Sequence, residues 1–241
     1  NGDQNNEKTL ADALISKKCD LLLGIATSSA RALSSATTKI PTLFTAVTDP
    51  VVGNITGVNV TGTSDMAPIA QQIDLIKEIV PDCKKIGFVY CGGEENSQKQ
   101  IDLAKEECDK IGVAYETFTA TATSDINDVV SKINPEDIGA VYIPTDNLFA
   151  ANMRLACNIL TPNGIPVVAG EAGMCEDDEA LATLGIDYKK LGAQTAEIAI
   201  RILSGEKPSD IKFQYYNQNA TFVINERNAA TLLAKNSALK I

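Results

Sequence analysis

No histidine and no tryptophan occur in these 241 residues, and aromatic side chains of all kinds make up only 5%. Without imidazole, Ser–His and Cys–His nucleophilic pairs lack their base. The six cysteines form no CxxC pair, so the usual thiolate–imidazole zinc site is absent too. Neither GxGxxG nor GxxxxGK(S/T) is present, which leaves dinucleotide and P-loop readings without a phosphate cradle. Basic residues are in deficit, 21 against 31 acidic, giving a net charge of −10 and a pI near 4.6. That balance argues against a nucleic-acid binder, which needs a basic face. No apolar run approaches the ~18–20 residues of a membrane helix. The opening "NGDQNNEK" is polar, lacks an initiating Met and has no signal-peptide pattern, so it reads as a cut or processed start. No metal and no cofactor is expected.

What is present is an ordinary globular composition, 44% apolar and 22% charged. The length suits one large α/β domain or two lobes. Five short runs are continuously apolar: "CDLLLGIA" (19–26), "IPTLFTAV" (40–47), "KIGFVYC" (85–91), "IGAVYIP" (138–144) and "IPVVAG" (165–170). Unbroken apolarity means that both faces are covered, as in parallel strands between helices. Helical stripes separate them: Met66, Ile69, Ile73, Ile76 and Val80; Ile101, Ala104, Cys108 and Ile111; Tyr188, Leu191, Thr195, Ile198 and Ile202. Pro81 stops the first of these helices. Such alternation predicts doubly wound sheets.

The pattern breaks at "GNITGVNVTGTSD" (53–65), read as a crossover between lobes. A second βα series follows. "ATLGIDYKKLG" (182–192) then runs from strand into helix, and 207–225 is extended with little helical period. Three crossings predict two lobes joined by a hinge.

Ligands of open α/β sheets sit beyond the carboxyl ends of the strands. The loops there carry Thr27, Ser28 and Ser29; Thr48 and Asp49; Glu94, Glu95, Asn96 and Ser97; Thr145, Asp146 and Asn147; Glu171; and Asp187. Any one of them can be a helix cap. As a set they describe a site for a small zwitterion. Free N–H groups at "TSSA" and "ENSQ" suit a carboxylate, and Asp146, Glu171 and Asp187 suit an ammonium. Cys19, Cys108 and Cys157 read as buried thiols, whereas Cys91 and Cys175 lie in Gly-flanked loops.

The loops in this order resemble the type I periplasmic binding proteins of ABC importers, and within them the aromatic amino-acid binders. The matching pieces include "DLLLGIATSSARAL", "IPTLFTAVTDPV", "ENSQKQIDLAK", "AVYIPTDN", "IPVVAGE", "LGIDYKKLGAQTA" and "ILSGEKPSDI". The resemblance runs the length of the chain. It implies two doubly wound parallel-sheet lobes with a three-segment hinge and ligand in the cleft. Lobe 1 is then 1–62 with 187–214, and lobe 2 is 63–186 with 215–241. Carried over motif by motif, the ligand meets Ser28, Ser29, Thr48 and Asp49 from lobe 1, and Asn96, Ser97, Thr145, Asp146, Asn147 and Glu171 from lobe 2. Asp187 sits at the crossover. Asp146, then Asp187, is the expected partner of the ammonium; Ser28, Ser29 and Ser97 are expected at the carboxylate. An aromatic wall would come from Phe44, Tyr90, Phe149 or Tyr188, with Phe149 the favoured one.

The implied function is that of an extracytoplasmic solute-binding protein, periplasmic or lipid-anchored, which passes an aromatic or apolar amino acid to a membrane permease and does no chemistry on it. Family members begin with a further strand–helix–strand unit ahead of "NGDQNNEK". By that comparison lobe 1 is incomplete at its N-terminus, and its open strand edge invites association of an otherwise monomeric protein. The loop "CGGEENS" also departs from the family's usual Asn-Pro. Two alternatives stand: a cofactor-independent amino-acid racemase with Cys91 and Cys175 as bases, and the effector-binding domain of a transcription regulator.

Overall fold

The computed structural model describes residues 4–176, 179–216 and 219–241. In chain order it begins with α1 (Gln4–Ser16), β1 (Leu22–Ile25), α2 (Thr27–Ala36), β2 (Thr42–Val47) and β3 (Val60–Ser64). Next come α3 (Ile69–Ile79), β4 (Lys85–Cys91), α4 (Glu95–Ile111), β5 (Ala114–Ala120), α5 (Ile126–Val130), β6 (Ala140–Ile143), α6 (Asn147–Ala150), α7 (Met153–Leu160), β7 (Val167–Ala169) and β8 (Ala182–Gly185). The chain ends with α8 (Tyr188–Leu203), β9 (Gln214–Tyr215), β10 (Thr221–Ile224) and α9 (Glu226–Lys235). The five apolar runs become β1, β2, β4, β6 and β7. The three stripes become the buried faces of α3, α4 and α8, except that Ile111 is exposed at the end of α4 and Tyr188 is half-buried at the start of α8. Met66 precedes α3, and Val80 is its C-cap, just ahead of Pro81.

Contacts divide the chain into two units, residues 1–66 with 186–219 and residues 67–185 with 220–241. In the first unit the sheet order is β1-β2-β3-β9, all parallel. Neighbouring residues of β2 face opposite ways, as a strand's period of two demands. Leu43 packs with Ile198 and Ile202 of α8, and Phe44 packs with Ala30 of α2. Helices therefore cover both faces.

In the second unit the order is β10-β8-β7-β6-β4-β5. One face buries Val89, Val141, Ile143, Val167 and Ala169 against Ile126, Phe149, Met153 and Leu160. On the other, Tyr142 donates to Gln72 Oε1 of α3 at 2.7 Å. The strands run parallel except β10, which pairs antiparallel with β8. An antiparallel edge strand adds to the wholly parallel sheet expected from the sequence. It needs no crossover helix, because the chain re-enters this unit from β9.

Residues 60–64, read above as part of a crossover, form β3 inside the first sheet. The strand is polar yet buried, because its hydroxyls find partners. Thr63 Oγ1 meets Thr45 Oγ1 at 3.0 Å and Thr195 Oγ1 at 2.7 Å, and Thr45 and Thr195 lie 2.9 Å apart. Thr61 donates to Ile211 O and Ser64 to Thr48 O, both at 2.8 Å. Buried polar groups are tolerated where they are hydrogen-bonded. Gly62 permits the close approach of β2, since a Cβ there would stand 2.1 Å from Phe44 O.

Candidate functional site

Parallel strands bring the loops after β4, β6 and β7 to one edge of the second unit. Asp146 sits at the centre of that edge, only 1% exposed. It is the N-cap of α6: Oδ1 accepts from Phe149 N at 2.9 Å, and Oδ2 accepts from Cys91 N at 2.7 Å. Burial, reinforced by the charge of Glu94, pushes its carboxyl up to about 6 against the pull of these N–H groups. Glu94 completes the arrangement. Its Oε2 accepts from Asn147 N at 3.0 Å and Asn147 Nδ2 at 2.7 Å, and its Oε1 accepts from Leu148 N at 3.0 Å.

Thr145 is held by the amide of Gln100, which accepts from Thr145 N at 3.1 Å and donates to Thr145 O at 3.0 Å. Asn96 Nδ2 also donates to Thr145 O, at 3.2 Å, and Ser97 is fully buried. Gly170 abuts the same loop, where a Cβ would meet Thr145 N at 2.2 Å. Its carbonyl accepts from Gln72 Nε2 at 3.0 Å. Glu171, next along, is half-buried; its Oε2 accepts from Gly173 N at 2.9 Å. Burial raises its carboxyl, and the Gly173 N–H lowers it. The structure thus gathers Asn96, Ser97, Thr145, Asp146, Asn147 and Glu171 at one edge of one unit.

In the first unit α2 opens without a side-chain cap, behind Ala26 at φ 68°. Ser28 and Ser29 lie half-buried in its first turn. Ser29 lines a groove of about 300 Å³ with Leu10, Leu14, Leu23, Ile25 and Leu33, and Ser28 does not. Thr48 is buried, and Asp49 accepts from Val51 N and Val52 N of its own turn at 2.8 and 3.2 Å. Asp187 caps α8 through Lys189 N and Lys190 N at 3.0 and 3.1 Å. Those N–H groups, Lys190 N first, hold its carboxyl below the usual range.

These placements correct several expectations. Asp146 is sealed, with both oxygens taken by backbone donors, so it presents no open carboxylate for an ammonium. Asp187 caps its own helix through Oδ1, while its Oδ2 stands 3.6 Å from Lys190 Nζ. Ser97 is covered and offers no open hydroxyl for a carboxylate. Phe149 is fully buried in the core beside Met153, because its N–H is drawn to Asp146 and its ring follows inward. It is not an aromatic wall. Phe44 is core, and Tyr90 is buried with its hydroxyl on Gln98. Only Tyr188 of the four aromatics is half-open, donating to Asp65 Oδ2 at 2.8 Å. Cys91 and Cys175 are buried, and burial raises both thiols. That is the reverse of what a thiolate base needs.

Glu94 was read from the sequence only as one of the loop's polar residues, with no ligand contact, and Gln72 and Gln100 were not singled out. Their partners lie 53, 98 and 45 residues away, beyond any local pattern. Among the described residues no cluster of His, Cys, Asp or Glu is arranged to hold a metal, and no helix is long and apolar enough to cross a membrane.

Residues 1–236 match the family described as ABC transporter substrate binding protein. The chain is 35% identical over 230 residues to a tyrosine-binding protein of Clostridioides difficile (strain R20291), covering 93% of this chain and 66% of that protein. It is similar to the crystal structure of a conserved domain protein from Vibrio cholerae, with a TM-score of 0.90 and 34% identity over 96% of this chain and 79% of that one. An ABC domain from Streptococcus pneumonia in complex with L-Trp gives 0.89 and 32%, over 96% and 81%.

Proposed function

The chain belongs to the ABC transporter substrate binding protein family, and from that membership we propose that it captures an aromatic amino acid for transport. The names of its relatives, one binding tyrosine and one holding L-Trp, support this ligand class. The observation that carries the reading is the uncapped start of α2. Its N-cap, Ala26, makes no side-chain bond to the first N–H groups, and the half-buried Ser28 adds a hydroxyl beside them. A ligand carboxylate supplies the missing acceptor and the negative charge that a helix start favours.

For the ammonium we propose Glu171. It is a half-exposed acid of the second unit's edge loops, and its carboxyl is raised chiefly by burial. A cation beside it relieves that cost. Tyr188 is the aromatic group we propose for the ligand ring. Asp146 and Asn147 hold the loop in place. The protein does no chemistry on its ligand, acts outside the cytoplasm, either periplasmic or lipid-anchored, and delivers to an ABC permease.

A thermal-shift and calorimetry screen of the twenty amino acids tests the ligand class. L-tyrosine or L-tryptophan at 100-fold excess over Kd is expected to add about 2.7 kcal/mol of stability. Absence of a shift with every amino acid overturns it. Incubation with the bound amino acid in D₂O should leave the α-hydrogen unexchanged; α-deuteration would restore the racemase.

A further inference from the structure

We propose that Glu94 is a positioning residue for ligand capture, forming with Asp146 a reciprocal clasp that fixes the loops after β4 and β6 against each other. The proposal rests on the ligand reading above. Glu94 occupies the N-cap position of α4, yet its carboxylate makes no cap bond to that helix's backbone. It reaches instead to the start of α6 and takes Asn147 N, Asn147 Nδ2 and Leu148 N. Asp146 sends one oxygen to Phe149 N and returns the other to Cys91 N at the end of β4. Each loop therefore carries an acid that accepts from the other loop. Asn96 adds a strut, donating to both Glu94 Oε2 and Thr145 O at 3.2 Å.

The arrangement does more than a cap requires. α6 has four residues and cannot satisfy its own first N–H groups. A single Asp or Ser at the cap position serves for that. Here a second carboxylate is brought beside a buried one, although like charges oppose each other. Six donors offset the cost, and what they fix is the spacing of two loops at the carboxyl edge. Small errors of spacing at a binding edge weaken ligand contacts far more than they weaken the fold.

That difference makes the role separable from folding. Asn147 is exposed and Leu148 half-buried, so water replaces their lost acceptors when Glu94 is removed. In Glu94→Ala, amide exchange at Asn147 and Leu148 should accelerate about tenfold or more. Affinity for L-tyrosine or L-tryptophan should fall by about the same factor, the scale of one charge-assisted hydrogen bond. The unliganded melting temperature should stay near that of the parent protein. Glu94→Gln, which keeps one acceptor oxygen, should fall between the two. Unchanged exchange at these amides, or unchanged affinity in Glu94→Ala, overturns the proposal. So does a melting temperature that collapses along with affinity, which would make Glu94 a folding residue. If the parent protein binds neither amino acid, the ligand reading fails, and the exchange result alone decides whether the clasp exists.

Discussion

The two units solve the same architectural problem with different materials. The second packs a continuous apolar face from Val89 to Leu160 and ties its edge loops with Glu94, Gln100, Gln72 and Asp146. The first gathers its buried apolar residues in separate clusters around Phe44, Leu43 and Leu22, and joins its central strands through a hydroxyl triad. It also exposes Leu10, Leu23, Ile25, Val51 and Val58. Burial is the main source of stability, and buried neutral hydrogen bonds add little net. The second unit therefore has the stiffer frame and the preset loops, and the first has the softer frame and the open helix start.

The largest expected effect sets one aromatic against another. Phe149→Ala should cost about 3–5 kcal/mol in urea unfolding. Phe44→Ala should cost less, because a groove of about 270 Å³ already flanks Phe44 and its cluster is small. An equal or larger loss at Phe44 would erase the contrast. Phe149→Ala would also settle whether that ring is core or wall, since a wall residue would alter affinity and leave stability alone.

Paired glycines give a smaller contrast. Gly62→Ala and Gly170→Ala each force a Cβ against backbone, at 2.1 and 2.2 Å, so each should destabilise by roughly 1–3 kcal/mol or more. Only Gly170→Ala displaces the Thr145 loop, so it should lose more ligand affinity for the same loss of stability. Equal affinity losses would show that the preset loops do not matter for binding.

The smallest effect is a pH slope. Asp146 has its carboxyl raised to about 6 in the folded protein, against about 3.9 in an unfolded chain. The stability it contributes is present below the unfolded value and is lost as pH rises through about 6. Asp146→Asn should remove that slope between pH 4 and 6, read as the difference in melting temperature from the parent protein. A pH-independent difference would mean that Asp146 titrates normally.

The lobes' strands were legible because β1, β2, β4, β6 and β7 are unbroken apolar runs. The strand β3 was not, because its burial rests on hydroxyl pairing among Thr45, Thr63 and Thr195, which hydropathy does not register. β5 is an edge strand with an exposed, partly polar sequence, and α1 is polar on average, so neither carried a signal. At the site, the polar loops were legible as a set, since they follow strands. Their division into caps and open groups was not. Asp146 looks like a free acid in "YIPTDN" until Cys91 N, 55 residues earlier, is brought to its oxygen.

The thiols carry one more consequence. All six cysteines are free; Cys19, in the first unit, is half-buried, whereas Cys83, Cys91, Cys108, Cys157 and Cys175, all in the second, are buried. A thiol-reactive reagent added to the native protein reaches Cys19 directly and meets the five buried thiols only as fast as their region opens. Its kinetics then resolve into an early phase from Cys19 and a late one that reports opening of the second unit. The chain carries its own labels for timing how that half lets go.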